Sequence, residues 1–264
     1  MKLSMLYSVY DNGIIGLPER LPKHHEMVEI VIVHQSNNNS EYSSTISLLN
    51  TRKDVKYTKS SDVGVTKSRN LAINIASGDI VLFCDDDVVY AEELYSTIKQ
   101  AYHDYPAFDF ITFAYSSNAE IKGKFSSTSK KHSKSSILSV GTIEVTSRRD
   151  LIIKNEITFP EDMGAGAKYF LCDEPVFLSR LMKNNMKGLY IPIVICEHPE
   201  ESSGAVFNDR NAFVSRLLCF QRIFGNVSGR LLYLVFLIKN WKKFSSLHYF
   251  FIGLSRAFIN LKKT

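Results

Sequence analysis

"GVTKSRNLAINIASGDIVLFCDDDVVY", residues 64–90, combines three signals in one short run. Residues 65–76 read as a helix: Thr66 is a candidate N-cap after Gly64, and Leu71/Ile75 and Ala72/Ala76 are apolar pairs one turn apart. After the turn, "DIVLFC" has the apolar run of a strand buried on both faces. It leads straight into Asp85, Asp86 and Asp87. Adjacent carboxylates repel one another and disturb each other's ionisation, and packing gives no reason for three of them there. Carboxylates at a strand end are the usual hard-oxygen ligands of Mg²⁺ or Mn²⁺. A solvated acidic turn capping a helix that begins near Ala91 is the blander alternative and fits less well.

The same helix–strand alternation extends on both sides. Strand-like runs occur at "LSMLYSVY", "VEIVIVH" and "FDFITFAY", with helix-compatible stretches near 41–52 and 91–103. Such alternation predicts βαβ units and a mainly parallel sheet, which binds ligands beyond the carboxyl ends of its strands. Residues 116–136 are rich in Ser and Lys and read as a surface loop. "SILSVGTIEVTSR" then reads as a strand, 164–185 as a glycine-loosened loop entering a helix with Pro175 in its first turn, and "GLYIPIVICEH" as a strand with a charged tip.

Composition narrows the class. The chain has 264 residues, 45% of them hydrophobic, enough for a sizeable core. Its four cysteines are widely spaced, with no C-x-x-C pair, which predicts reduced thiols in a cytoplasmic protein. No secretory signal is read at the N-terminus. The longest apolar run, "LLYLVFLI" at 231–238, is far short of the roughly 18 residues of a membrane span. Residues 205–264 carry ten Lys/Arg and one acid, Asp209, whereas the first 204 residues carry a net charge of −4. This change of sign predicts a boundary near 204. The tail reads as two or three amphipathic helices, with stripes at Phe213, Leu217, Phe220 and Phe224 and at Leu247, Phe251, Leu254 and Phe258. Its aromatics and positive charge predict a surface that lies on anionic lipid, although docking on the core would also produce the stripes.

The run at 64–90 resembles the nucleotide-sugar-binding core of family 2 glycosyltransferases with the GT-A fold. The matching features are the Arg69-Asn70 helix pair, the Ala76-Ser77-Gly78-Asp79 turn, the buried strand and the Asp85–Asp87 acidic motif. Downstream, "FPEDMGAGAKYFLCDEPVFLSRLMKNNMKGLYIPIVICEH" is similar to the acceptor half of bacterial surface-polysaccharide transferases. The resemblance implies a mixed, mainly parallel sheet flanked by helices, with a C-terminal helical appendage. It implies a donor half over about 1–115 and an acceptor half over about 137–204.

The function implied is inverting, metal-dependent transfer of a sugar from a nucleotide donor, expected to be UDP-linked. The acceptor would be a glycan or lipid-linked molecule in capsule or O-antigen assembly, at the inner face of the membrane; no nucleic-acid partner is expected. By the same resemblance Glu174 is the preferred base, with Asp173 as its neighbour or substitute, and Asp87, Asp85 and His198 hold Mn²⁺ or Mg²⁺. Ser8, Val9, Tyr10, Gln35, Lys67, Arg69, Asn70 and Asp85–Asp87 would bind the nucleotide sugar, and Gly164 and Gly166 would shape the acceptor-side loop. His34 and Gln35 stand where many members place a base-binding Asp. The other readings are a non-catalytic nucleotide-sugar-binding module and a metal-dependent nucleotidyl- or phosphotransferase.

Overall fold

The computed structural model of the chain describes residues 1–37, 41–121, 123–198 and 206–258; the boundary expected near 204 lies outside them. The described residues contribute ten strands to one sheet. They are β1 (Leu3–Tyr10), β2 (Val28–Gln35), β3 (Val55–Ser60), β4 (Ile80–Cys84), β5 (Val89–Tyr90), β6 (Phe110–Ser117), β7 (Glu120–Ile121), β8 (Lys130–Lys131), β9 (Val145–Arg148) and β10 (Gly188–Glu197). The main order is β3-β2-β1-β4-β9-β6-β10-β5. Neighbours are parallel from β3 to β4 and between β6 and β10, while β9 runs antiparallel to β4 and β6, and β5 to β10. The sheet is therefore mixed and mainly parallel, the GT-A arrangement that the resemblance implied.

Both faces of the central strands are covered, which is why they read as unbroken apolar runs. On β4, Ile80, Leu82 and Cys84 enter one core cluster while Val81 and Phe83 enter the other; on β1, Leu3, Met5, Tyr7 and Val9 oppose Leu6. The first cluster is closed by α1 (Leu17–Arg20), α2 (Ser43–Asn50) and α4 (Leu94–Asp104), whose Leu17, Leu49, Leu94 and Ile98 are buried in it. The second is closed by α3 (Val65–Ile75), α5 (Arg149–Lys154) and α6 (Asp173–Lys183), through Ala72, Ile73, Ile152, Val176, Phe177, Leu178 and Leu181.

The Ala76–Asp79 turn seats β4 against its neighbours. The amides of Ser77 and Gly78 donate to the buried Glu29 carboxylate, and Gly78 also donates to Ser4 Oγ at 2.8 Å. A Cβ on Gly78 would lie 2.8 Å from Ser4 N and 3.0 Å from Lys2 O, so only glycine fits there.

Some boundaries differ from expectation. β3 was not read as a strand because "VKYTKS" is a partly exposed strand with few apolar residues. The segment 136–148, read as one strand, holds two 3-10 turns, Ser136–Ser139 and Thr142–Glu144, before β9. Thr66 does not cap α3: Gly64 does (φ 128°), and the Thr66 hydroxyl donates to Met163 O at 3.0 Å.

The tail holds α7 (Arg210–Phe224), α8 (Asn226–Lys239) and α9 (Leu247–Arg256). Phe213, Leu217 and Phe220 of the first stripe are buried against Phe207, Tyr233 and Leu237, so that face packs inward instead of meeting lipid. Cys219 and Ile223 of α7 join the cluster around α6. The exposed apolar side chains of the tail are Val227, Leu231, Leu232, Val235 and Ile238 of α8, Trp241 in the link, Leu247 and Phe251 of α9, and Phe258 just after it.

Candidate functional site

Three elements bring carboxylates to one place. β4 ends at Cys84, so Asp85–Asp87 emerge at the carboxyl end of the parallel strands. Val89 of β5 pairs antiparallel with Glu197, a register that returns the acidic turn toward His198 at the end of β10. α6 starts at Asp173 and Glu174, after Cys172 in a left-handed conformation (φ 68°). From α3, Arg69 reaches between these groups. Its Nη1 is 2.7 Å from Asp173 Oδ2 and 3.8 Å from Glu174 Oε1, and its Nη2 is 3.4 Å from Asp85 Oδ1. The guanidinium lies 5.5 Å from the Phe159 ring centroid, and its Nε is buried without a partner.

Charge balance is poor here. Burial, then the charge of Glu174, push Asp173 up to about 7, despite Arg69. Burial raises Asp85 against the opposing pull of Arg69. Burial and the neighbouring Asp85 and Asp87 push Asp86 up to about 6. Three carboxylates, Asp85, Asp173 and Glu174, share the buried Arg69, and Asp86 and Asp87 stand beside them, an arrangement that a divalent cation would relieve. Among the described residues no three His, Cys, Asp or Glu side chains form a metal cage. The Asp85 carboxylate faces Arg69, and the His198 ring packs 5.7 Å from that of Tyr115. The hard oxygens of Asp85 and Asp87 suit Mg²⁺ or Mn²⁺ completed by substrate phosphates, which needs one or two protein carboxylates.

A cleft of about 320 Å³ opens beyond the ends of β1, β2 and β3, lined in part by Tyr10, Asp11, Gln35, Ser36, Glu41 and Asp62. Half-buried hydrogen bonds brace it from below. Asp11, at φ 47°, accepts from Tyr42 Oη at 2.8 Å and Ser36 Oγ at 3.3 Å. His34 is fully buried, and burial lowers its pKa, so it is neutral. Its Nε2–H donates to Asp11 O at 2.8 Å, which leaves Nδ1 to accept from Tyr57 Oη at 2.9 Å.

The residues singled out in the sequence divide between this cleft, the acidic cluster and the supporting frame. Tyr10 presents an exposed ring to the cleft, Val9 is buried beneath it, and Ser8 Oγ is buried without a partner. Gln35 borders the cleft, but its amide donates to Asp62 O at 2.6 Å and Gly64 O at 2.9 Å, fastening the loop before α3. Asn70 staples the segment after α5, accepting from Phe159 N at 2.7 Å and donating to Phe159 O at 3.2 Å. Lys67 and Arg69, two positions apart, point about 200° apart around α3. Arg69 faces carboxylates, where contact with the nucleotide sugar was expected, and Lys67 is half-buried. Gly164 and Gly166 both have positive φ; a Cβ on Gly164 would lie 2.9 Å from the Asp173 carboxyl carbon.

Four residues carry no readable sequence signal. Thr142 Oγ1 donates to Glu174 Oε1. Glu144 is buried and paired with Lys124. Arg20 Nη1 donates to Asp86 O at 3.0 Å. They stand far in sequence from the groups they touch, and only the fold brings them together.

The model of the family described as "Glycosyl transferase family 2" matches residues 17–160. Among solved structures, S. aureus TarS 1-349 in complex with UDP-GlcNAc has a TM-score of 0.70 at 16% identity, over 97% of this chain and 79% of that one. The chain covers 44% of the longer S. aureus TarS structure, at TM-score 0.67 and 16% identity, with 93% of this chain aligned. The mannosyltransferase PcManGT of Pyrobaculum calidifontis, in complex with GDP-Man and Mn²⁺, has a TM-score of 0.61 at 12% identity, over 99% of this chain and 81% of that one. A search of curated protein sequences found no match.

Proposed function

The chain belongs to glycosyl transferase family 2, and from that premise we propose an inverting, divalent-metal-dependent transfer from a UDP-linked sugar to a hydroxyl of a glycan or lipid-linked acceptor. The process we assign is assembly of a bacterial surface polysaccharide such as a capsule or O-antigen. The observation that carries the reading is the bridge made by Arg69, which joins the acidic turn after β4 to the acidic start of α6.

In this reading the nucleobase occupies the cleft beside Tyr10, near Gln35, with Ser8 and Val9 below it. The diphosphate extends from the cleft toward Asp85–Asp87, while Arg69 and Asn70 hold the surrounding frame. Asp87 and Asp85, with His198 alongside, would hold Mn²⁺ or Mg²⁺, which when bound would supply positive charge against the departing diphosphate. Glu174 takes the proton of the acceptor hydroxyl. The acceptor oxygen bonds to the anomeric carbon as the bond from that carbon to the diphosphate oxygen breaks, and the electron pair leaves with the nucleoside diphosphate. Attack from the face opposite the leaving group inverts the configuration. Asp173, held by Arg69, keeps Glu174 in place, and the turns at Gly164 and Gly166 shape the acceptor side.

Residues 1–204 would carry the transferase and 205–264 a basic appendage. The exposed apolar residues of α8 and α9, flanked by the exposed Lys239, Lys242 and Lys243, support docking on an anionic membrane at its cytoplasmic face. No described helix is long and apolar enough to cross a membrane.

Thermal shifts with UDP, UDP-GlcNAc and GDP-mannose, with and without Mn²⁺, test the donor site. Bound donor raises stability with ln(1 + [L]/Kd), so UDP compounds with Mn²⁺ should raise Tm in wild type and not in Asp87→Ala. No shift with any of them would sink the donor reading, and a shift with GDP-mannose alone would replace uridine by guanosine.

A further inference from the structure

The two carboxylates at the start of α6 are chemically similar neighbours, yet their surroundings differ. Asp173 is the buried one, with 5% of its side chain exposed, and it takes the short ion pair with Arg69 at 2.7 Å. Glu174 keeps 23% of its side chain exposed and lies 3.8 Å from the same guanidinium, beyond hydrogen-bond reach. What Glu174 has instead is a hydroxyl: Thr142 Oγ1 donates to its Oε1.

That hydroxyl is held by the sheet and by a buried ion pair. Thr142 is 5% exposed and opens the 3-10 turn Thr142–Glu144. The turn runs directly into β9, whose Thr146 pairs with Leu82 of β4, so the strand that delivers the aspartates also fixes the donor. Glu144 anchors the other end of the turn, accepting from Gly141 N at 3.0 Å and pairing with Lys124. Lys124 also donates to Ser139 O at 3.1 Å and lies 4.9 Å and 4.8 Å from the ring centroids of Tyr115 and Phe125.

We propose that Thr142 is a positioning residue that holds Glu174 in place as the proton-accepting member of the acidic pair. The inference rests on the base assignment made above. The charged and titratable groups that face Glu174 are Arg69 from α3, Asp85 after β4, Asp173 on its own helix, Glu144 from the turn and Cys219 from α7. Three of these five are carboxylates besides its own. Among these neighbours the Thr142 hydroxyl donates to the Glu174 carboxylate, and this bond holds it in one rotamer.

The test uses the full chain labelled with [δ-¹³C]glutamate, with the Glu174 resonance identified by its loss in Glu174→Gln. Thr142→Val keeps the shape and removes the donor; it should raise the Glu174 titration midpoint by about one pH unit, the scale of one charge-assisted hydrogen bond. Thr142→Ser should restore the wild-type midpoint, and Thr142→Ala stands in if the valine variant does not fold. In UDP release from UDP-GlcNAc with Mn²⁺, the acid limb of kcat should move by the same amount, with KM for the donor unchanged. An unmoved Glu174 midpoint in the folded variant overturns the proposal and leaves the transferase reading intact. Full UDP release by Glu174→Gln also overturns it, by removing the base that it positions. If wild type neither binds nor turns over the donor, the donor reading fails, while the titration still decides what Thr142 does to Glu174.

Discussion

Arg69 and the two carboxylates that follow Cys172 illustrate how similar groups acquire different tasks. Asp173 is desolvated and tied to a buried guanidinium, so its task is to brace Arg69. Asp173→Asn keeps the shape and leaves Arg69 with Asp85 and Glu174; because burial already disfavours the Asp173 charge, the urea midpoint at pH 7 should stay within about 1 kcal/mol of wild type. Glu174→Gln should barely move that midpoint but lower kcat by about 10²–10⁴-fold with donor affinity retained. If the effects come out reversed, with turnover lost in the asparagine variant and kept in the glutamine variant, Asp173 is the base. The order Cys-Asp-Glu was readable as an acidic helix start, but which acid is buried is a property of the packed site.

The strand and turn elements divide by how local their causes are. β1, β2, β4 and β6 declare themselves because strands buried on both faces are apolar at most positions. The turn before β4 is legible as Ala-Ser-Gly-Asp, and its glycine is required because it meets Ser4 of β1 and Lys2 just before it. Its hidden partner is Glu29 on β2. Burial alone would raise this carboxyl, but hydrogen bonds from Ser4, the Ser77 amide and hydroxyl and Lys56 hold it well below the usual range. A carboxyl depressed in the folded state contributes stability that is complete above its unfolded pKa of about 4.3 and is lost as pH falls below it. Glu29→Gln should therefore lower Tm at pH 7, and the gap from wild type should narrow below pH 4; a gap independent of pH would mean that the charge is immaterial. β3 escaped notice because a partly exposed strand needs no unbroken apolar run.

For the molecule as a whole, the tail separates what a pattern says from what it packs against. The Phe213–Phe220 stripe has the right period for a helix, but its partner is the tail's own core; the exposed apolar side chains are Leu247, Phe251 and Phe258 of the second stripe, joined by a face of α8. Replacing Val227, Leu231, Val235 and Ile238 by Ser should weaken binding to phosphatidylglycerol vesicles at least tenfold while leaving Tm near wild type, because these side chains touch little of the core. Binding by wild type should fall in high salt, since exposed lysines act through a screened field; unchanged binding by the quadruple variant would sink the membrane assignment. The sequence by itself determined the βαβ alternation, the strand that ends in three aspartates and the basic tail, because periodicity and charge runs are local properties of the chain. Only the tertiary structure decided that Arg69 faces carboxylates and that Gln35 and Asn70 brace loops. It alone brought Thr142 to Glu174 across thirty-two positions of sequence. Those outcomes depend on which side chains meet after the sheet has formed, and contacts between distant segments leave no periodic trace in the sequence.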